Sequence, residues 1–66
     1  MQLTINGKKQ TITNAQNVAE IIRSLGYEGD FFAVALNRTV IPRTRYAATP
    51  VNENDEIEIL SPMQGG

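Results

Sequence analysis

Only one stretch of this chain carries apolar residues at helical spacing. Val18, Ile21, Ile22 and Leu25 fall at i, i+3, i+4 and i+7 and so line one face of a single helix. Asn17 stands at the N-cap with Glu20 three residues on, and Gly26 follows as a C′ residue, which predicts the helix at about 18–25. Every other apolar run alternates with polar residues or is too short for a helix. Such a chain is α+β, with one main helix covering one face of one sheet. A ferredoxin-like arrangement would need a second helix of similar strength.

The strands follow from alternation and turns. Leu3 and Ile5 alternate with Gln2, Thr4 and Asn6, and Asn6-Gly7 is the strongest two-residue hairpin signal, predicting strands near 2–6 and 8–13. Beyond the loop through Gly29-Asp30, the run Phe32-Ala33-Val34-Ala35-Leu36 is apolar at every position and reads as an interior strand buried on both faces. Asn37-Arg38-Thr39 turns the chain into a short strand, Val40-Ile41, which Pro42 stops; that suits a sheet edge. Residues 43–54 read as loop with one helical turn around Tyr46. From Asp55 to Leu60 alternation returns, with Ile57 and Ile59 on the core face and Glu56, Glu58 and Leu60 on the other. Phe31 and Phe32 are expected in the core.

Size and composition remove whole classes of function. Sixty-six residues make one domain with no room for a deep cleft, and with neither cysteine nor histidine the fold has no disulfide and no His or Cys metal site to lean on. The start, Met1-Gln2-Leu3-Thr4-Ile5, lacks the basic flank and apolar run of a signal peptide, and no stretch approaches the ~20 apolar residues that span a bilayer. The expectation is a cytoplasmic protein, monomeric on its own. A formal net charge of −1 argues against nucleic acid or an anionic membrane as partner. Nucleophilic catalysis is poorly served: its commonest base is absent, and Ser24 and Ser61 have no evident partner. Asp55, Glu56 and Glu58 read as a solvated strand face, and no carboxylate cluster has metal-loop spacing.

The remaining place for chemistry is the end, Ser61-Pro62-Met63-Gln64-Gly65-Gly66, which follows the last strand without a turn back to the core. Domain and tail divide as 1–61 and 62–66. Pro62 limits further strand pairing, and five extended residues reach roughly 17 Å. Two glycines without Cβ suit a channel too narrow for other residues, with the Gly66 carboxylate delivered at its end. Average glycine usage of about 7% gives two terminal glycines by chance in about one chain in 200.

These features together resemble a known family. Asn37 to Arg43, Asp55 to Ile59 and the tail Glu58-Ile59-Leu60-Ser61-Pro62-Met63-Gln64-Gly65-Gly66 are similar to the thiamine-biosynthesis sulfur carrier proteins, and the Met1–Gly7 hairpin and Val18–Gly26 helix extend the likeness over nearly the whole chain. Two positions depart from the family pattern: Tyr46 where tryptophan is common, and Asn54-Asp55 in place of a Gly-Asp turn. The resemblance implies a ubiquitin-like β-grasp, a mixed sheet of about five strands whose last strand lies centrally beside the first, with a flexible Gly-Gly tail. It implies that Gly66 is adenylated by an E1-like adenylyltransferase, takes sulfur that a cysteine desulfurase draws from cysteine, and as a thiocarboxylate donates it to thiazole synthase. ATP and magnesium then belong to the activating partner, and the chain itself binds no cofactor and no metal. Leu60, Pro62, Met63, Gln64 and Gly65 are the expected partner contacts, with Leu60 joining Ile41 or Met63 in an apolar patch. Arg38, Arg43 and Arg45 either steer the protein onto an acidic partner or are simply solvated. Three other readings stay open: a molybdopterin synthase small subunit, a ubiquitin-like module that only docks, and attachment to protein lysines.

Overall fold

The computed structural model describes residues 1–27 and 32–60. Five strands, β1 (Gln2–Ile5), β2 (Lys8–Thr11), β3 (Ala33–Leu36), β4 (Thr39–Ile41) and β5 (Glu56–Leu60), form one sheet in the order β2-β1-β5-β3-β4. β1 and β5 run parallel, and every other pairing is antiparallel. The last strand therefore sits in the middle of the sheet, beside the first. Two hairpins of local sequence, each closed by a tight turn, are joined through it.

Local chemistry accounts for each boundary. Asn6 and Gly7, at φ 51° and 84°, make the predicted two-residue hairpin turn. β2 stops at Thr11, short of the expected 13, yet Ile12 and Met1 still exchange two hydrogen bonds of 2.9 Å and Ile12 is buried. Asn37 and Arg38, at φ 49° and 71°, close the second hairpin. Asn54 takes φ 68°, a left-handed position that glycine occupies without cost and asparagine tolerates, so the departure from Gly-Asp leaves the turn geometry intact. Asp55 completes that turn by accepting the Asn52 N–H at 2.8 Å.

Helix α1 (Val18–Ser24) is one residue shorter than its predicted span, with Leu25 as C-cap. Asn17 Oδ1 accepts the Glu20 N–H at 2.9 Å, while Glu20 Oε1 reaches back to the Gln16 N–H at 2.7 Å, one residue before the usual capping-box partner. At the other end Gly26, at φ 86°, donates to the Arg23 carbonyl and Tyr27 to that of Ile22, the paired bonds of a Schellman motif. Residues Arg43–Ala48 form a 3₁₀ helix that buries Tyr46, more structure than the single turn expected there.

The core lies between α1 and one sheet face. Val18, Ile21 and Ile22 meet Leu3, Ile5, Val34, Ile57 and Ile59, and among the described residues the buried positions include no charged side chain. One expectation is corrected: the apolar run 32–36 is not buried on both faces. Val34 is buried, but Ala33 is exposed and Ala35 only half-buried, because the single helix covers one face and these alanines lie on the other. Phe32 leans on the core and stands 5.6 Å from the Tyr27 ring and 6.4 Å from the Tyr46 ring; Phe31 lies outside the described residues.

Candidate functional site

The sequence points to the chain end, so the first question is how β5 delivers it. β5 is paired on both sides. Toward β3 the register runs Leu36↔Ile57, Ala35↔Glu58, Val34↔Ile59 and Ala33↔Leu60, so that side of the ladder continues to the strand's last residue. Toward β1 the ladder begins with Thr4 N–H to the Asp55 carbonyl at 3.0 Å and Asn6 N–H to that of Ile57 at 2.9 Å, and the Asn6 side chain then accepts the Ile59 N–H at 2.8 Å. The start of β5 is held equally firmly: Asn37 Oδ1 accepts the Glu56 N–H at 2.9 Å and its Nδ2 donates to Asp55 at 3.1 Å. A chain leaving Leu60 starts from the central strand of the sheet. The expected contact residues Pro62, Met63, Gln64 and Gly65, and Gly66 itself, lie outside the described residues.

Leu60 is where the sequence placed it, on the sheet face turned away from the helix, with 62% of its surface exposed. Its apolar neighbour is not Ile41. The β3–β4 register pairs Ile41 with Val34 on the core side, and Ile41 leans on the core. The same register sets Val40 opposite Ala35, on the open face, where it is 69% exposed. Val40 and Leu60 are the large apolar side chains exposed among the described residues, bridged by Ala33 and Ala35. Glu56, Glu58 and Thr4 border them on the same face. Sequence reasoning missed Val40, whose signal was available only as one of two adjacent apolar residues.

The three arginines sit on two elements, Arg38 at the β3–β4 turn and Arg43 with Arg45 in the 3₁₀ helix. Arg38 lies at the β3–β4 turn with its Nε 3.8 Å from Glu56, an exposed pair at the end of β5 away from Leu60. Arg43 lies on the helix side, where it joins Ile22, Arg23, Tyr27, Phe32 and Tyr46 around an open groove of about 470 Å³. Burial pushes the Tyr46 hydroxyl above its ordinary pKa, and the Arg43 charge offsets part of that rise. Among the described residues no cluster of three carboxylates could hold a metal ion, and no helix is long and apolar enough to cross a membrane.

The sequence profile of the ThiS family matches residues 3–66. A crystal structure of a thiamine biosynthesis protein (ThiS) from Geobacter metallireducens superposes with a TM-score of 0.83 at 38% identity, over the whole of both chains. The sulfur carrier protein ThiS of Escherichia coli is 27% identical over the full length of both chains. A thiazole synthase of Paramagnetospirillum magneticum is 32% identical over all 66 residues, but this chain spans only 20% of that protein's length.

Proposed function

The chain belongs to the ThiS family, and from that membership we propose how it works as a sulfur carrier of thiamine biosynthesis: the Gly66 carboxyl is the group that carries the sulfur. As a carrier it is a protein co-substrate rather than an enzyme. A carboxylate is a poor electrophile, so activation comes first. An E1-like partner, using its own ATP and magnesium, directs a Gly66 carboxylate oxygen to the α-phosphorus of ATP; the new O–P bond forms as pyrophosphate leaves. A desulfurase converts cysteine to alanine and leaves the sulfur as an enzyme persulfide, whose terminal sulfur then attacks the carbonyl carbon as the C–O bond breaks to release AMP. A second thiol cleaves the S–S bond of the acyl disulfide so formed, becoming a disulfide with the donor thiol and supplying the two electrons that free the sulfur on Gly66. The resulting thiocarboxylate is a nucleophile that thiazole synthase consumes.

The observation that carries this reading is the position of β5. A reaction at a chain end needs that end presented repeatably to a second protein's active site, since misplacement of about 1 Å can cost 10²-fold in rate. Here the strand leading to the tail is central and laddered on both sides. Pro62, Met63, Gln64 and Gly65 are the proposed partner contacts on the way to Gly66. Leu60 and Val40, with Ala33 and Ala35, form the docking patch beside it. Acceptance by thiazole synthase is supported by the Paramagnetospirillum protein of that name, one-fifth of which resembles this chain.

The test uses the absence of cysteine. A thiol-directed alkylating reagent labels this chain only once sulfur has been installed. After incubation with ATP, a sulfur source and an E1-like enzyme, label is expected on Gly66 by fragmentation mass spectrometry, and none in a variant extended by residues beyond Gly66 whose thermal stability is unchanged. Absence of label with several competent activating enzymes would move the reading to a ubiquitin-like module that only docks.

A further inference from the structure

We propose that Asn6 is a positioning residue for the tail: its side-chain oxygen stands in for a missing backbone rung and fixes the direction in which β5 leaves the sheet. This rests on the sulfur-carrier reading above. In a parallel ladder, every second residue of one strand donates and accepts across to the same neighbour. Thr4 and Asn6 donate in turn to the Asp55 and Ile57 carbonyls at 3.0 and 2.9 Å. The next donor in that series is the Ile59 N–H, and its expected acceptor is the carbonyl of residue 6. But β1 has ended at Ile5, and Asn6, at φ 51°, has already turned into the hairpin. The Ile59 N–H instead meets Asn6 Oδ1 at 2.8 Å, a bond between residues 53 apart in sequence.

The consequence is specific to this end of the strand. Ile59 is held toward β1 by this side chain, while its neighbours Glu58 and Leu60 pair with Ala35 and Ala33 of β3. Without the Asn6 bond the final two residues of β5 would hang on β3 alone and pivot about that ladder, and the pivot lies one residue before the chain leaves Leu60. The hairpin turn needs only a residue that accepts positive φ, which glycine does best. An amide or carboxylate oxygen at position 6 is required only by the rung to Ile59. Turn and rung are thus separable by substitution.

Asn6→Gly keeps the turn and removes the acceptor, whereas Asn6→Asp keeps an oxygen acceptor and tolerates the left-handed backbone. In Asn6→Gly, amide exchange at Ile59 is expected to quicken at least about tenfold relative to Ile57 in the same strand. Adenylation of Gly66 by the E1-like partner should lose about tenfold in kcat with KM changed by less than about twofold, because the docking patch is untouched while the carboxyl is presented less often. Asn6→Asp should restore both. A residue that merely stabilised the fold would lower Tm and leave kcat at 25 °C unchanged. Unchanged Ile59 exchange in Asn6→Gly, or wild-type kcat despite faster exchange, overturns the proposal, as does equal loss in Asn6→Asp at equal Tm. If the wild-type chain itself is not adenylated, the sulfur-carrier reading fails and takes the positioning role with it, while altered exchange at Ile59 would still identify the rung.

Discussion

The two faces of the sheet are built from the same strands and do opposite things. On the covered face Leu3, Ile5, Val34, Ile57 and Ile59 are buried against Val18, Ile21 and Ile22 of α1. On the open face, one residue away along each strand, Thr4, Ala33, Ala35, Val40, Glu56, Glu58 and Leu60 meet solvent in varying degree. Period-two alternation makes this possible, since neighbouring side chains of a strand point to opposite sides. Among the described residues α1 and the 3₁₀ helix cover one face of the sheet, and that layer must hold the fold. The other face is free of that duty, and the proposed docking patch of Val40 and Leu60 lies on it. In so small a protein, stability and docking can therefore be changed almost independently by choosing odd or even positions in β5.

The largest effect should come from the covered face. Ile57 is fully buried in the central strand, and Ile57→Ala should cost about 2–5 kcal/mol from lost burial and the cavity left behind. A domain of this length has a total stability of about 3–10 kcal/mol. Urea denaturation should show a much lower midpoint with the slope retained, and a loss under about 1 kcal/mol would break the contrast between the faces. The opposite face sharpens it. Val40→Thr combined with Leu60→Thr keeps side chains that suit a strand and removes the apolar patch, so stability should move by no more than about 0.5 kcal/mol per site. KM for activation by the E1-like partner should rise about tenfold, equivalent to about 1.4 kcal/mol of docking energy. A double variant that docks normally would return Val40 and Leu60 to the ordinary exposed apolar residues every surface has.

The chain's local grammar was readable, and its long-range pairings were less so. Asn17, Glu20 and Gly26 mark both ends of α1, and Asn6-Gly7 marks the first hairpin, because caps and turns are made by residues within five of one another. The alternation of Ile57 and Ile59 with Glu58 and Leu60 gave the faces of β5 correctly. Two readings failed for a common reason. Val40 and Ile41 are adjacent and both apolar, and only the register with Ala35 and Val34 decides which points outward; a slip of one residue exchanges them. Likewise the run 32–36 is apolar throughout, and only the presence of one helix, not two, leaves Ala33 in the open. The central placement of β5 came through the family resemblance, since alternation alone does not order strands in a sheet. Asn6 was visible as a turn residue and invisible as a partner of Ile59, because that bond spans 53 residues.

The smallest predicted effect tests how completely the helix side excludes water. Tyr46 is buried against the core, and desolvation holds its hydroxyl in the neutral form beyond the ordinary tyrosine range. The folded pKa is raised above the unfolded value of 10.0, so between those two values the native state keeps a proton that the unfolded chain gives up. Stability should therefore be level with respect to this group below the unfolded pKa and fall as pH climbs through the folded one. Phenolate absorbance should accordingly show a tyrosine titrating above the ordinary tyrosine range that is absent from Tyr46→Phe, with urea midpoints declining over the same alkaline interval. Tyr46→Phe should remove that decline while leaving the open face, and so docking through Val40 and Leu60, unaltered. If Tyr46 titrated at the ordinary tyrosine value of 10.0, water would reach the helix side, and the two faces of the sheet would differ less in solvation than their burial implies.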